Sequence, residues 1–142
     1  MALTSWTVPV CLVLNAYLLG VMVLFATVSY PQLGESLTGY SGFTGRIAVP
    51  VVTFEFLAFF ATLALYAVKP EPMWAVHAIV ALGVGYFVIT FGWHLPAHRA
   101  LAAGDRSPTD MARLLASQWA RTALQVIRVG LLMNLSRLAS VR

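Results

Sequence analysis

The sequence predicts an all-α protein, a four-transmembrane-helix bundle in up-down-up-down order with an extended cytoplasm-side start to the fourth helix. Three observations predict it. Of the 142 residues, 60% are hydrophobic and 10% are charged, whereas a soluble domain carries about 25% charged residues. Four apolar segments have the length of roughly 20 residues that a helix needs to cross a bilayer. Strand-like alternation is absent, and lipid admits only helices or closed barrels.

The four predicted spans cover residues 8–30, 46–68, 73–95 and 118–138, within one integral membrane domain over 1–142. No basic segment of the kind found in secretory signals precedes the first span, so we expect this span to be retained. The second and third spans are joined only by KPEP, residues 69–72, which predicts an antiparallel hairpin. Ser107 and Pro108 have the pattern of a helix start, so the fourth helix is predicted to begin outside the membrane.

Charge and cysteine content narrow the classes of protein. The net charge is +4, but the basic residues are scattered and some lie in apolar runs, so we expect no nucleic-acid partner. The single cysteine, Cys11, excludes a disulfide framework within the chain and a cysteine-based metal site. The first and third loops carry one more basic residue than the opposite side, so we expect a multi-pass membrane protein with these loops in the cytoplasm.

Two charged residues lie near the middle of predicted spans. A charge in a span costs at least ~2.5–3.5 kcal/mol, so it usually faces a partner or a cavity. Glu55 follows Arg46 in the second span at nearly the same interval at which Arg128 follows Gln118 in the fourth. At 1.5 Å per residue, both lie roughly 14 Å deep from the same side. The sequence therefore predicts an ion pair between Glu55 and Arg128, or between Glu55 and Arg121.

Polar residues also recur at helical spacing, which places them on single faces. The third span carries Tyr86, Thr90 and His94 at steps of four. The fourth span carries four polar residues at steps of three, four and three: Gln118, Arg121, Gln125 and Arg128. A polar face on a membrane helix must point to the bundle interior or to water. We therefore expect these side chains to meet in the half of the membrane near loops one and three.

His94 and His98 end the third span four residues apart. If the helix continues, the two histidines share a face and, with Glu55, suit a non-haem iron site. Pro96 lies between them and disfavours a regular helix, which would leave His98 in a hydrated interfacial loop. Both alternatives remain open from the sequence.

Several motifs resemble a family of small four-helix bacterial membrane proteins of mostly unknown function. They are Tyr-Pro at 30–31, Tyr40, GRIAVPVVTFEFLA at 45–58, LPAHRALAAG at 95–104 and LLASQWARTALQVIRVGLL at 114–132. The family is in turn distantly similar to the anthrone-oxygenase-like membrane proteins. This resemblance implies an oxidoreductase or oxygenase that acts on a lipophilic phenolic or quinone-like molecule. The cofactor, if any, is unknown.

The resemblance and the polar pattern together nominate the site residues. We expect catalytic roles for Glu55, His98, Arg121 and Arg128, with His98 or Glu55 as general base. We expect substrate contacts from six further residues: Tyr40, Arg46, Trp93, Gln118, Trp119 and Gln125. The alternative function is a non-catalytic membrane subunit, in a homo-oligomer or larger complex, whose polar stripe docks a partner protein or an anionic lipid. A small transporter is less favoured, because the chain shows no inverted repeat.

Overall fold

The computed structural model describes residues 2–35, 40–104 and 107–140, and every regular element in these ranges is helical. Helix α1 comprises Ala2–Leu24, a π-helical turn Phe25–Ser29, and Tyr30–Glu35. Helix α2 comprises Tyr40–Leu63 and Leu65–Val68. Helix α3 comprises Met73–Ile89, a π-helical turn Thr90–His94, and Leu95–Ala102. Helix α4 is Pro108–Ser140. The predicted all-helical fold is confirmed.

Three of the four helices are long and apolar enough to cross a membrane. The candidate spans are Trp6–Gln32, Val49–Val68 and Met73–Ala102. Helix α4 has sufficient length, with 33 residues, but it is not one of these three. Its polar stripe lowers its hydropathy. Large apolar side chains cover the outside of the helices, as lipid contact requires; Trp6 is 73% exposed and Val49 is 72% exposed.

Helix α4 packs against α1 and α3, α1 packs against α2, and α2 packs against α3. Apolar side chains fill this arrangement in three clusters along the bundle. One end holds Val8, Cys11, Leu65, Ala75, Val76, Ile79, Leu132 and Leu135. The middle holds Leu18, Met22, Ala58 and Tyr86. The other end holds Phe25, Tyr30, Ala97, Leu101 and Leu114. The buried polar residues lie between and beside these clusters.

Helix α3 continues through Pro96. Proline lacks an N–H and its ring clashes with the carbonyl four residues earlier, here Gly92. Gly92 lies in the π-helical turn, where the N–H of Leu95 donates to the carbonyl of Thr90, five residues back. The wider turn accommodates the proline. The prediction of an interfacial loop at His98 is therefore wrong, and His98 lies within helix.

Helix α1 also accommodates a proline, Pro31, with a π-helical turn. The carbonyl four residues before Pro31 belongs to Thr27, inside the π-helical turn. The N–H of Tyr30 donates to the carbonyl of Phe25, again five residues back. π-helical turns of this kind are frequent at functional sites, because they redirect the side chains that follow them. Here they immediately precede Tyr30 and end at His94.

Helix α4 begins where the sequence predicts a helix start. The N–H of Thr109 donates to Ser107 Oγ at 3.2 Å, and the N–H of Asp110 donates to the Ser107 carbonyl at 3.0 Å. Pro108 is the first helical residue, where its missing N–H has no helical partner to lose. Ser107 is therefore the N-cap of the helix that carries both buried arginines.

We expect Ser107→Ala to lower the free energy of unfolding by about 1 kcal/mol, because the substitution removes the hydroxyl oxygen that accepts from the N–H of Thr109. Thermal unfolding in detergent micelles, followed by circular dichroism, measures this loss. Thr109→Ala is the matched control on the exposed surface beside the cap. Equal stability of the two variants would show that the Ser107 hydroxyl does not stabilise the helix start.

Candidate functional site

Glu55 forms a buried ion pair with Arg121 across the centre of the bundle. Arg121 Nη2 donates to Glu55 Oε1 and to the Tyr86 hydroxyl oxygen, while the Tyr86 hydroxyl donates to Glu55 Oε1 at 2.5 Å. Arg121 Nη1 also donates to Gln118 Oε1 at 3.2 Å. Glu55 is 4% exposed and Arg121 is 3% exposed. We call Glu55, Tyr86, Gln118 and Arg121 the ion-pair layer.

The ion-pair layer confirms one of the two predicted pairings and corrects the other. The matched depth of Glu55 and Arg128 favoured a pair between them, but the carboxylate lies against Arg121. Arg121 and Arg128 are two helical turns apart on one face of α4. Depth estimated by counting residues from the loops takes no account of helix tilt or of the length of the arginine side chain. It therefore could not decide whether Glu55 pairs with Arg121 or with Arg128.

Arg128 lies in a second polar layer without a carboxylate. Its Nη1 donates to Gln125 Oε1 at 2.9 Å, and its Nη2 donates to Thr62 Oγ1 at 3.0 Å. Gln125 Nε2 in turn donates to the carbonyl and the Oδ1 of Asn15, both at 2.9 Å. Arg128 is 2% exposed, and no carboxylate among the described side chains lies within ion-pair distance of it. We call Asn15, Thr62, Gln125 and Arg128 the arginine–amide layer.

The Arg128 guanidinium lies against the backbone of α3 at Gly83. A Cβ atom at this glycine would lie 2.9 Å from Phe59 Cδ2 and 3.4 Å from Arg128 Cζ. The first distance is too short for real Cβ atoms, so the position requires glycine in this packing. Gly83 therefore provides the space in which the buried cation sits.

Both histidines at the end of α3 belong to a third polar group, together with Tyr30 of α1. The Nε2 atoms of His94 and His98 are 3.1 Å apart. The Tyr30 hydroxyl oxygen lies 3.0 Å from His98 Nε2 and 3.3 Å from His94 Nε2. His94 Nδ1 lies 2.8 Å from Ser117 Oγ of α4. We call Tyr30, His94, His98 and Ser117 the histidine cluster.

The hydrogen-bond network assigns the proton of His94. The Ser117 hydroxyl donates to the Leu114 carbonyl at 2.8 Å, which leaves its oxygen to accept from His94 Nδ1–H. With the proton on Nδ1, a neutral His94 carries a lone pair on Nε2. The Tyr30 hydroxyl oxygen and His98 Nε2 lie 3.3 and 3.1 Å from this nitrogen. His94 is 5% exposed and His98 is half-buried, so His98 forms the accessible edge of the cluster.

The structure separates the predicted substrate-contact residues into two groups. Gln118 and Gln125 are fully buried members of the two layers. Trp93 is 42% exposed and Trp119 is 48% exposed, so both lie outside the buried polar groups, and their predicted substrate contacts stay predictions. Trp93 directly precedes the buried His94, and Trp119 directly follows the buried Gln118. Adjacent residues of a helix point about 100° apart, so both tryptophans are turned away from the interior.

Arg46 and Tyr40 lie near the start of α2. Arg46 is exposed, and its predicted contact with a substrate stays a prediction. The start of α2 carries it outside the packed interior. Tyr40 has a side chain outside the described residues, and its predicted contact stays a prediction.

The alternative metal site of Glu55, His94 and His98 does not form. Within the described ranges, no three side chains of histidine, cysteine, aspartate or glutamate are grouped closely enough to hold a metal ion. Glu55 is instead engaged by Arg121 and Tyr86, two turns of α3 away from His94.

Sequence reasoning missed Tyr30, Asn15, Thr62 and Ser117 as site residues. One signal was present for Thr62, because it follows Glu55 by the same seven residues that separate Arg121 from Arg128. Two parallel helices with matching intervals bring both pairs together. Tyr30 lies directly before Pro31, and the π-helical turn that precedes the tyrosine accommodates this proline.

Comparison of the chain with models of known protein families, with curated proteins and with solved structures finds no match. The geometry of the three polar groups therefore carries the functional argument.

Proposed function

We propose that the chain is a membrane-embedded oxidoreductase that acts on a lipophilic phenolic or quinone-like molecule. The observation that carries this proposal is the enclosure of the polar groups. Two arginines, a glutamate and three side-chain amides lie in the bundle interior, and His98 is half-buried in the histidine cluster. The motifs that resemble small four-helix bacterial membrane proteins and, distantly, anthrone oxygenases support the same class of reaction.

The proposal includes four spans in up-down-up-down order, with loops one and three in the cytoplasm of a bacterial inner membrane. Contacts between helices support this order. Helix α4 runs antiparallel to α1 and α3 and parallel to α2. The contacts that support this order are Met22 with Gln118, Asn15 with Gln125, Glu55 with Arg121, Thr62 with Arg128, Tyr86 with Arg121, and His94 with Ser117.

The histidine cluster is the proposed proton acceptor. A lipophilic substrate with a weakly acidic C–H or phenolic O–H approaches His98 from the bilayer and loses its proton there. The resulting enolate or phenolate is stabilised by the cationic interior, in which Arg121 lies one helical turn from Ser117. Dioxygen is the proposed oxidant: a methylene group becomes a carbonyl group, one oxygen atom enters the product, and the other leaves in water.

The burial of the polar stripe separates this proposal from the docking alternative. Gln118, Arg121, Gln125 and Arg128 are each at most 3% exposed, so the stripe does not lie on the outer surface of the bundle. A partner protein would meet the apolar side chains outside it instead. The buried position favours a small molecule that enters the bundle.

We expect His98→Ala to lower the oxidation of anthrone by about a hundredfold, because the accessible proton acceptor is removed. The assay follows anthraquinone formation and oxygen uptake in membranes that contain the protein. His77→Ala is the matched control, since His77 is an exposed histidine near the opposite end of α3. Wild-type membranes no more active than empty membranes, or equal rates for the two variants, would overturn the proposal.

A further inference from the structure

We propose that the histidine cluster binds one divalent transition-metal ion through His94 Nε2, His98 Nε2 and the Tyr30 oxygen. Binding of the ion stands on the geometry of these three atoms. Only its chemical role rests on the proposed function, because the cluster is the proton acceptor there. The three ligand residues come from α1 and α3, and Ser117 of α4 supports them.

The three atoms form a nearly equilateral triangle with sides of 3.0, 3.1 and 3.3 Å. Metal–ligand distances of about 2.0–2.1 Å place neighbouring ligands about 2.9 Å apart in octahedral geometry and about 3.3 Å apart in tetrahedral geometry. The sides of the triangle span this interval. One ion about 1 Å above the plane of the three atoms therefore reaches all of them at ordinary bond lengths.

The proton assignment supports a cation at this point. A neutral His94 has its proton on Nδ1, donated to Ser117 Oγ, so its Nε2 offers only a lone pair. Three hydrogen bonds among these atoms would need three protons. The Tyr30 hydroxyl and His98 Nε2 can supply at most two, so one of the three contacts has no proton between its atoms. A cation instead accepts a lone pair from every corner, with Tyr30 bound as the phenolate.

The second shell matches that of metal-binding histidines. Such a histidine usually donates its other ring N–H to a carboxylate, a carbonyl, or a similar acceptor, which fixes the tautomer and the ring orientation. His94 does this through Ser117 Oγ, which is itself held by the Leu114 carbonyl. The π-helical turn Phe25–Ser29 ends directly before Tyr30, and the turn Thr90–His94 contains His94. Both redirect ligand side chains toward one point.

The donor set indicates the class of metal. Imidazole nitrogens suit iron, copper, nickel and zinc, whereas magnesium and calcium prefer carboxylate, carbonyl and water oxygens. Three protein atoms leave at least one coordination position open to water or to a substrate oxygen. His94, His98 and Tyr30 would hold the ion, which would make a bound water more acidic and so would supply a base at the open position.

Cobalt(II) is the probe that tests the site, because its visible absorption reports on the ligands. Untagged, chelator-treated protein in detergent micelles is titrated with Co²⁺, and one equivalent is expected to bind. His94→Ala, His98→Ala and Tyr30→Phe are each expected to weaken binding by at least about a hundredfold, and Ser117→Ala by about tenfold. His77→Ala is expected to bind Co²⁺ as the wild type does.

Tyr30→Phe is the sharpest of these variants, because it removes one oxygen atom and keeps the ring that stacks on Phe25 at 5.6 Å between centroids. Its circular dichroism spectrum and elution volume should match those of the wild type. Absence of one-to-one Co²⁺ binding, or binding that none of the three ligand substitutions weakens, would overturn the inference.

The outcomes also separate the two proposals. A protein that binds no Co²⁺ but loses anthrone oxidation on His98→Ala refutes the metal site and leaves the proposed function standing. A protein that binds Co²⁺ through these ligands but oxidises no anthrone supports the metal site and refutes the proposed function.

Discussion

Replacement of Glu55 by glutamine is expected to lower the free energy of unfolding by about 3–5 kcal/mol, which is the usual cost of removing one partner of a buried ion pair. Arg121 would then keep its charge in the bundle interior with only Tyr86 and Gln118 as neutral partners. Its Nε atom already lacks a partner within the described part of the chain. Thermal unfolding and denaturant titration in detergent micelles measure the loss.

The structure offers matched controls for this substitution. Glu71→Gln removes a carboxylate in the exposed turn between α2 and α3 and should change stability little. The double variant Glu55→Gln with Arg121→Gln should recover most of the lost stability, since no buried charge is left alone in the ion-pair layer. Combination of Glu55→Gln with Arg128→Gln should not recover it. Recovery with Arg128→Gln in place of Arg121→Gln would contradict the pairing described here.

Replacement of Gly83 by valine is expected to destabilise the bundle by about 3 kcal/mol or more. Overpacking alone costs about 1–3 kcal/mol. The added methyl groups would also push the Arg128 guanidinium away from Thr62 and Gln125, and a hydrogen bond to a charged group contributes about 1.5–3 kcal/mol. The same unfolding measurements report the effect.

Two other glycines in described helices serve as controls for Gly83. A Cβ at Gly85 would lie 3.7 Å from Leu124 Cδ1, an ordinary contact, and a Cβ at Gly20 would meet no atom within 4 Å. Gly85→Ala and Gly20→Ala should therefore be tolerated. Phe59→Leu should partly rescue Gly83→Val by making room beside α3. A Gly83→Val variant as stable as Gly20→Ala would show that Arg128 does not depend on this space.

Periodicity predicted the fold and most of the buried polar faces. The spacing of Gln118, Arg121, Gln125 and Arg128 places them on one side of any α-helix, so their common burial followed from the sequence. The helices were also predicted as elements, because the composition leaves few alternatives in lipid. Their ends were less accurate: α1 and α3 extend beyond the predicted spans at the side of the histidine cluster.

Periodicity did not predict which residues of α2 lie opposite which residues of α4. Arg121 and Arg128 differ by two turns on the same face, and only the vertical offset between α2 and α4 decides which one reaches Glu55. A similar limit hid Tyr30, since a tyrosine near a span end is ordinarily an interfacial residue. The π-helical turn before it changes its direction, and i→i+5 hydrogen bonding leaves no clear periodic signal in a sequence.

The apolar cluster at the end opposite the histidines has a bioenergetic consequence. Val8, Leu65, Ile79, Leu132 and their neighbours close the bundle beyond the arginine–amide layer with buried hydrocarbon. Under the proposed function, a proton that enters at His98 would meet no continuous row of hydrogen-bonding groups among the described residues of this apolar cluster. The proposed proton uptake and the proposed placement in a bilayer together predict a bundle that conducts no protons across the membrane and so leaves the electrochemical gradient intact.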